Sequence, residues 1–219
     1  MMARIIKLIT GLLLYAVGIV FTINVHLGLS PWDVLHQGLS RETGITMGQA
    51  SIYVGLAILV LNFAFKEKIG YGTILNMYLI GWFLDFLMIN KIIPEPSGMP
   101  MKFIMLACGM LIIGLASYLY IGAGLGAGPR DGLMLALYHK TGKSIRFVRN
   151  SIEITVFIAG FFLGGTVGLG TVILSLGIGP VIQLVFKLFK FDVKSVHHLY
   201  IDDHIRSLFS KDRKAKNEE

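Results

Sequence analysis

The sequence predicts an all-α membrane protein with six transmembrane helices, arranged as two inverted three-helix repeats, each with a short re-entrant or interfacial helix. Three observations predict this fold. Of the 219 residues, 54% are hydrophobic and only 15% are charged, whereas soluble domains carry roughly 25% charged residues. Six apolar stretches approach the length of about 20 residues that a bilayer requires. Finally, the chain resembles itself after a shift of 98 positions.

The six predicted spans are separated by short segments rich in charge, proline or glycine, which are typical of turns. The first span resembles a signal peptide, but no small-residue cleavage site follows it, so we expect it in the mature protein. The spans are predicted over residues 5–25, 48–65, 70–90, 102–124, 148–165 and 169–189.

The distribution of basic residues predicts the orientation of the chain. Lys and Arg collect in alternate connections, and such an excess marks the cytoplasmic face of a membrane protein. Both termini are therefore predicted to be cytoplasmic. The net charge of +7 is explained by this topology, and nucleic acid is not expected as a partner. The basic residues on the predicted cytoplasmic side before the tail are Arg4, Lys7, Lys66, Lys68, Arg130, Lys140, Lys143, Arg146 and Arg149.

The internal repeat divides the chain into two units, residues 1–98 and 99–190, followed by a tail at 191–219. With a shift of 98, the segment 28–33 (GLSPWD) falls on 126–131 (GAGPRD), and 43–44 (TG) on 141–142 (TG). Because each unit holds three spans, the second must enter the membrane from the opposite side. Inverted repeats of this kind recur in secondary transporters. The tail is predicted to be cytoplasmic, with an amphipathic helix over 196–209 and a disordered end.

Each repeat carries the start of a short helix between its first and second spans. In the first copy Ser30 suits the N-cap, Pro31 the first helical position and Asp33 the third. Free amides at such a start can hold an anion or line a path. Capping alone is the alternative, and for the aspartates it is the favoured one. The second copy repeats the pattern at Gly128, Pro129 and Asp131.

A few polar residues inside the predicted spans are further candidates for a substrate path. Asp85 and Gln183 occupy equivalent positions of the two repeats, and Glu153 lies early in the fifth span. Ionisable groups in a membrane are costly and often functional. The structural alternatives are solvation of Asp85 at the interface and an ion pair of Glu153 with Arg149, four residues apart.

No pattern for catalysis, a metal or a cofactor is present. The chain has one cysteine, Cys108, and it lacks a phosphate-binding loop, a nucleophile elbow and a zinc motif. The histidine-rich stretch 197–204 matches no metal-ligand spacing. We therefore expect neither an enzyme nor a bound cofactor or metal.

The segment 28–35 (GLSPWDVL), with its echo at 126–133 (GAGPRDGL), resembles the YczE/YyaS/YitT family of bacterial membrane proteins. The likeness runs from about residue 5 to residue 190 and excludes the tail. It implies a protein of the bacterial cytoplasmic membrane. It implies no established activity and no established site residues.

Two functions follow from these patterns. The first is a small permease or exporter of an unknown small molecule, supported by the inverted units and their interrupting short helices. The second is a scaffold or accessory factor that holds a cytoplasmic partner through the basic loop and the tail. The bilayer is a partner in both cases, and a homodimer stays open.

Overall fold

The computed structural model describes residues 2–196 and 198–200, and over that part of the chain its regular structure is helical. Eight α-helices are followed by a 3₁₀ turn at Val193–Ser195. In chain order the helices are α1 (Met2–Asn24), α2 (Pro31–Thr43), α3 (Met47–Ala64), α4 (Tyr71–Ile89), α5 (Met99–Gly122), α6 (Pro129–Thr141), α7 (Ile145–Phe162) and α8 (Leu169–Leu188).

Five helices, α1, α3, α4, α5 and α8, are long and apolar enough to cross a membrane. They coincide with five of the six predicted spans. Large apolar side chains cover their outer surfaces; Phe63, for example, is 76% exposed and Leu176 is 73% exposed. Such a surface is unfavourable in water and suits lipid. The chain is a multi-pass membrane protein.

The remaining predicted span, the fifth along the chain at 148–165, coincides with α7, which is not among the helices apolar enough to cross a membrane. Its 18 residues include Arg146, Arg149 and Glu153, and charges of this kind lower the tendency of a helix to enter a bilayer. A membrane crossing by α7 therefore stays a prediction.

The two short helices begin and end where the sequence predicts. Ser30 caps α2 by accepting the Asp33 amide on its Oγ at 3.4 Å, whereas Gly128, at the same position before α6, has no side chain to offer. Both helices stop at a glycine in the left-handed region, Gly44 at φ 75° and Gly142 at φ 65°. This conformation costs glycine little and other residues more, so glycine is favoured at a helix end.

The 98-residue offset of the sequence reappears in the helices and in their contacts. Helix α6 begins and ends 98 residues after α2, and α7 begins and ends 98 residues after α3. The Gly72 amide donates to the Leu125 carbonyl at 2.7 Å, and the Gly170 amide donates to the Leu27 carbonyl, also at 2.7 Å. Each bond becomes the other when the two halves are exchanged. These contacts between the halves are reciprocal.

The centre of the molecule is the pair α1 and α5, which run antiparallel. Lys7, near the start of α1, donates to the Gly122 carbonyl at the end of α5, while Gly18 faces Gly109. A methyl group on Gly109 would lie 2.9 Å from the Thr22 methyl, so glycine permits this close approach. On the flanks α4 packs against α1 and α8 packs against α5. Buried residues that α1 contributes to the core include Leu8, Leu12, Ala16, Ile19, Val20 and Ile23.

Candidate functional site

A charged side chain of the second half reaches the first half at the centre of the bundle. Arg130 is the second residue of α6, and its guanidinium stacks on the ring of Trp32 in α2, 4.3 Å from the ring centroid. Its Nη2 also donates to Nε2 of His36 at 3.3 Å. The first turns of the two short helices therefore meet through a cation–π contact and a hydrogen bond.

His36 lies between this guanidinium and the carboxylate of Asp33. Because Nε2 accepts from Arg130, the proton of the neutral ring lies on Nδ1. Nδ1 is 3.5 Å from Oδ1 of Asp33, and the Ser30 hydroxyl donates to Oδ2 at 2.5 Å. His36 is 1% exposed and Asp33 is 5% exposed. We call Ser30, Asp33, His36 and Arg130 the Asp33 network.

A cavity of about 40 Å³ adjoins the Asp33 network. A buried water needs about 10–15 Å³ of such space, so a few waters or one small ion fit. Hydroxyl groups, one carboxylate and one guanidinium face it beside apolar side chains from three long helices. This central cavity is lined by Tyr15, Ile19, Thr22, Ser30, Asp33, Ile113, Arg130 and Ile178.

The second predicted aspartate, Asp131, has a different partner. Its Oδ2 accepts the Tyr120 hydroxyl at 2.8 Å, and the ring of Tyr120 meets Tyr15 edge to face at 6.1 Å. Asp131 does not line the central cavity. The two prolines hold the first helical position of α2 and α6, as predicted, and the carbonyl of Pro129 accepts from Asn62 at 2.8 Å.

The structure does not bring Asp85 and Gln183 together at the central cavity. Asp85 accepts the Thr46 hydroxyl and the Gly48 amide, the latter at 2.8 Å, so its carboxylate ties the end of α4 to the start of α3. Gln183 is exposed on α8. Both residues lie outside the cavity lining.

Glu153 forms the ion pair that its spacing indicates. The Arg149 Nε donates to Glu153 Oε1 at 2.9 Å along one face of α7. Neither side chain lines the central cavity. Within the described residues, no three His, Cys, Asp or Glu side chains are grouped in a way that would hold a metal ion.

Four contributors to the site are absent from the sequence-based candidates: Tyr15, Thr22, His36 and Arg130. The distribution of basic residues predicts a cytoplasmic loop for Arg130, whereas the structure places it in α6 with its side chain in contact with Trp32 and His36. One signal was present. Arg130 is the position at which the two repeated motifs differ most, because its repeat equivalent is Trp32.

A second cavity, of about 190 Å³, lies between α3, α6 and the turn that joins α3 to α4. We call it the α3–α6 cavity. Asn62 is only 2% exposed, and its Oδ1 has no hydrogen-bond partner. The cavity is lined by Asn62, Glu67, Lys68, Ile69, Thr73, Ala127, Gly128, Gly132, Leu135, His139 and Tyr200.

The described end of the tail lies beside the α3–α6 cavity. The Gly126 amide donates to Nδ1 of His198 at 3.3 Å, the Leu199 amide donates to the Gly124 carbonyl at 2.8 Å, and Tyr200 forms an isolated β-bridge with Gly70. Burial lowers the pKa of His198 below its ordinary value of 6.5, and the Asp131 carboxylate opposes that shift. The predicted helix over 196–209 is absent from residue 196 and from 198–200, and its other positions lie outside the described residues.

Comparisons with known proteins agree with the resemblance seen in the sequence. The YczE protein of Bacillus subtilis, an uncharacterized membrane protein, is 40% identical over 177 residues, which cover 79% of this chain and 80% of YczE. An uncharacterized protein of Haemophilus influenzae is 39% identical over 162 residues, covering 74% of this chain and 73% of that protein. YyaS of Bacillus subtilis, also uncharacterized, is 28% identical over 179 residues, with 80% and 88% covered.

No solved structure matches this chain. The family model that matches describes a family of unknown function, DUF6198, and it covers residues 2–187, which include every long helix and both short ones but leave out the tail. The central and α3–α6 cavities therefore lie in the shared part of the chain, apart from Tyr200. This chain belongs to the DUF6198 family, and its similarity to YczE and YyaS supports the YczE/YyaS family assignment.

Proposed function

We propose that this protein is a small permease whose solute path runs through the central cavity. The observation that carries the proposal is the Asp33 network, in which a carboxylate and a guanidinium from opposite halves line one cavity. Ionisable groups inside a membrane protein are costly and mark ion or substrate pathways. Transport sites typically lie at the interface of two repeats, beside interrupted helices.

Two inverted units are the architecture that such a permease needs. The antiparallel course of α1 and α5 and the reciprocal bonds of Gly72 and Gly170 support an approximate two-fold axis between the halves. If α1 and α5 both cross the membrane, this axis lies in the membrane plane. The short helices α2 and α6 then enter from opposite faces and are surrounded by protein, where an interrupted backbone is tolerated.

In the proposed topology α7 also crosses the membrane, which gives six crossings, and both termini lie in the cytoplasm. Arg149 and Glu153 of α7 form an ion pair with no net charge. This pairing lowers the cost of placing the two side chains in a membrane. Arg146 lies near the proposed cytoplasmic end of α7. Lys7 lies beside Gly122, at the proposed cytoplasmic end of α5. These basic positions fit the positive-inside rule.

The lining of the central cavity favours a small polar solute or an ion. Asp33 offers a negative charge, Arg130 a positive charge, and Tyr15 and Thr22 add hydroxyl groups. An apolar solute would leave these groups without partners, which is costly in a buried site. Catalysis is not part of the proposal, and a homodimer remains a prediction.

Uptake into proteoliposomes tests the proposed permease. The purified full chain is reconstituted and given a panel of radiolabelled small ions, amino acids, amines and organic acids, with and without a pH gradient. We expect uptake of at least one class, and its loss in Asp33→Asn and Arg130→Gln. Gln183→Ala is the matched control, because Gln183 is exposed on α8 and its replacement should leave uptake unchanged.

The same experiment contains the result that would overturn the proposal. Folded protein that takes up nothing from the whole panel would exclude transport of these solutes. The scaffold function would then be favoured, and a pull-down from a lysate with and without residues 191–219 would test it. A partner captured only by the full chain would support a scaffold.

A further inference from the structure

The two halves differ most in how tightly a short helix packs against its neighbour. In the reciprocal arrangement, the pair α2 and α7 corresponds to the pair α6 and α3. The first pair is closely packed, whereas the second encloses the α3–α6 cavity of about 190 Å³. An exact two-fold relation would give both pairs the same packing.

Backbones touch on the closed side. A methyl group on Gly160 of α7 would lie 2.5 Å from the Cα of Leu35, which is closer than such atoms approach in proteins. A methyl group on Gly165 would collide with the carbonyl oxygen of Val34. Val34 itself is fully buried. No space remains between α2 and the end of α7.

Polar contacts seal the same side. The turn that follows α7 is bound to α2 because Gln37 Oε1 accepts the Thr166 amide at 2.7 Å. Arg41 donates to the Gly164 carbonyl and to Thr166 Oγ1, the latter at 3.0 Å. These bonds join the outer part of α2 to the turn between α7 and α8.

The open side holds an unused hydrogen-bond acceptor. Asn62, the repeat equivalent of Gly160, donates from Nδ2 to the Pro129 carbonyl at 2.8 Å, but its buried Oδ1 has no partner. A buried oxygen without a hydrogen-bond donor is unfavourable. Asn62 also lines the α3–α6 cavity. A solute in that cavity that carries an N–H or O–H group would supply the missing donor.

We propose that the α3–α6 cavity is the cytoplasm-facing substrate vestibule of an inward-open state, and that it takes a small polar solute that donates a hydrogen bond to Asn62. The closed α2–α7 surface is the corresponding vestibule in its shut form. This inference rests on the proposed permease function. Lys68 and Glu67 line the cavity, at the end of the molecule that the positive-inside rule assigns to the cytoplasm. Glu67 contacts His139 of α6 at 3.2 Å, and Lys68 lies over the ring of Tyr200.

Helix α6 separates this vestibule from the central cavity. Arg130 lines the central cavity, whereas Gly128 and Gly132 of the same segment line the α3–α6 cavity. A small movement of α6 towards α3 would close the vestibule. The matching movement of α2 away from α7 would open the other face. The two halves would thereby exchange conformations, and the Asp33 network would be exposed to alternate sides.

Cysteine labelling of two repeat-related positions tests this inference without a known substrate. In a Cys108→Ala background, Ala127→Cys reports on the α3–α6 cavity, and Leu29→Cys, its repeat equivalent, reports on the closed side. A membrane-impermeant maleimide is applied to inverted vesicles for the first variant and to intact cells for the second. A minor conformation is populated at about 0.1–10%, so we expect Ala127→Cys to react at least about tenfold faster.

Two further variants exchange the character of the two sides. Gly132→Val gives α6 the side chain of its repeat equivalent Val34. Its Cβ would lie 2.7 Å from Nδ2 of Asn62, so the Asn62 amide must shift, and the valine should fill the α3–α6 cavity and slow the labelling of Ala127→Cys. Gly160→Asn places an amide where α2 and α7 touch, so it should speed the labelling of Leu29→Cys from outside. Retained size-exclusion profiles show that the variants are folded.

Each outcome bears on the inference separately from transport. Equal labelling of the two cysteines, or labelling of Ala127→Cys only from outside, overturns the vestibule even if proteoliposomes take up a solute. A Leu29→Cys that never reacts, even with Gly160→Asn, overturns the exchange of states. If the cysteines react as expected but no solute is taken up, the cavity is open to the cytoplasm. The permease function, and with it the proposed role of the cavity in binding a substrate, would then be overturned.

Discussion

The helix starts at Pro31 and Pro129 are copies of one motif, but the two copies contribute different side chains to the central site. They share the proline and the aspartate, but Trp32 stands where the second copy has Arg130. In the structure these two equivalent side chains stack on each other, 4.3 Å from ring centroid to guanidinium. Residues related by a two-fold axis meet only near that axis. In the proposed inverted repeat, the site is therefore built from complementary side chains at equivalent positions.

The two shared aspartates also diverge. Asp33 is bound by Ser30 and lies near His36, and it lines the central cavity, whereas Asp131 accepts from Tyr120 and does not. Tyr120 is the repeat equivalent of Thr22, which lines the cavity beside Asp33. One copy is therefore open to a solute and the other is occupied by a tyrosine. Substitutions that remove these differences test the comparison.

The largest effect is expected from Arg130→Leu. This change removes the cation–π contact with Trp32, about 0.5–2 kcal/mol, and leaves Nε2 of the buried His36 without its donor, about 1–3 kcal/mol. It also takes the nearby cation away from the Asp33 carboxylate. The measurement is the thermal unfolding midpoint in detergent. Adding Asp33→Asn to Arg130→Leu should recover part of the loss. Arg146→Leu, at an exposed position, serves as the control, and an equal loss there would contradict a special role of Arg130.

A smaller effect is expected from Tyr120→Phe, which removes one hydroxyl from Asp131. A hydrogen bond to a charged group contributes about 1.5–3 kcal/mol. Thr22→Val makes the equivalent change in the first repeat, where the hydroxyl donates to the Ile19 carbonyl of its own helix at 2.8 Å. We expect it to cost less. Unfolding in detergent measures both, and equal losses would show that the two carboxylates are not held differently.

The helical architecture could be predicted from the sequence, because it depends on patterns within one segment. Runs of apolar residues indicate spans, and proline with a following glycine stop delimits α2 and α6 at the residues observed. The reciprocal contacts follow the 98-residue shift because equivalent residues of two similar segments make equivalent contacts. α7 is the exception, because Arg146, Arg149 and Glu153 lie within it and it is not among the helices apolar enough to cross a membrane, so its crossing stays a prediction.

The composition of the site could be predicted only in part. Ser30 and Asp33 belong to a local capping motif, and both line the central cavity. Arg130 was misplaced because a lone arginine between apolar segments is typical of a cytoplasmic loop. Its true environment depends on His36 and Trp32, 94 and 98 residues earlier in the chain. Contacts across a fold of this kind leave no mark on local periodicity.

Capping chemistry provides a finer comparison of the two copies. Ser30→Ala removes both the cap of α2 and a donor to Asp33, and loss of a cap alone costs about 1 kcal/mol. Ser144→Ala removes an ordinary cap from α7 and should cost less than Ser30→Ala. Gly128→Ser should stabilise by a few tenths of a kcal/mol, because glycine at an N-cap is only slightly worse than serine. Chemical unfolding in detergent measures all three.

Gly128→Ser is sterically permitted in this position. An added Cβ would lie 3.4 Å from the Asp131 carboxylate, which is ordinary contact. Its hydroxyl could then serve Asp131 as Ser30 serves Asp33. A marked destabilisation would indicate that the second copy needs a bare backbone at this point, as expected if Gly128 must leave the α3–α6 cavity open.

The smallest effect concerns the tail, which contacts the second copy through Gly126. Neutral His198 accepts the Gly126 amide on Nδ1, and burial lowers the pKa of His198 below its ordinary value of 6.5. A histidine whose pKa is lowered by docking binds protons more readily when undocked. Docking is therefore fully stable above pH 6.5, and it weakens as the pH falls below that value, by at most about tenfold per pH unit.

Hydrogen exchange of the Leu199 amide measures this docking, because that amide donates to the Gly124 carbonyl. After correction for the intrinsic exchange rate, protection should fall between pH 6.5 and pH 5. The variant His198→Gln keeps a hydrogen-bond acceptor that does not titrate. In this variant the protection of the Leu199 amide should be independent of pH over the same range. A pH-dependent loss in His198→Gln would assign the effect to another group. A pH-independent protection in the unaltered chain would show that the imidazole makes no contribution to docking.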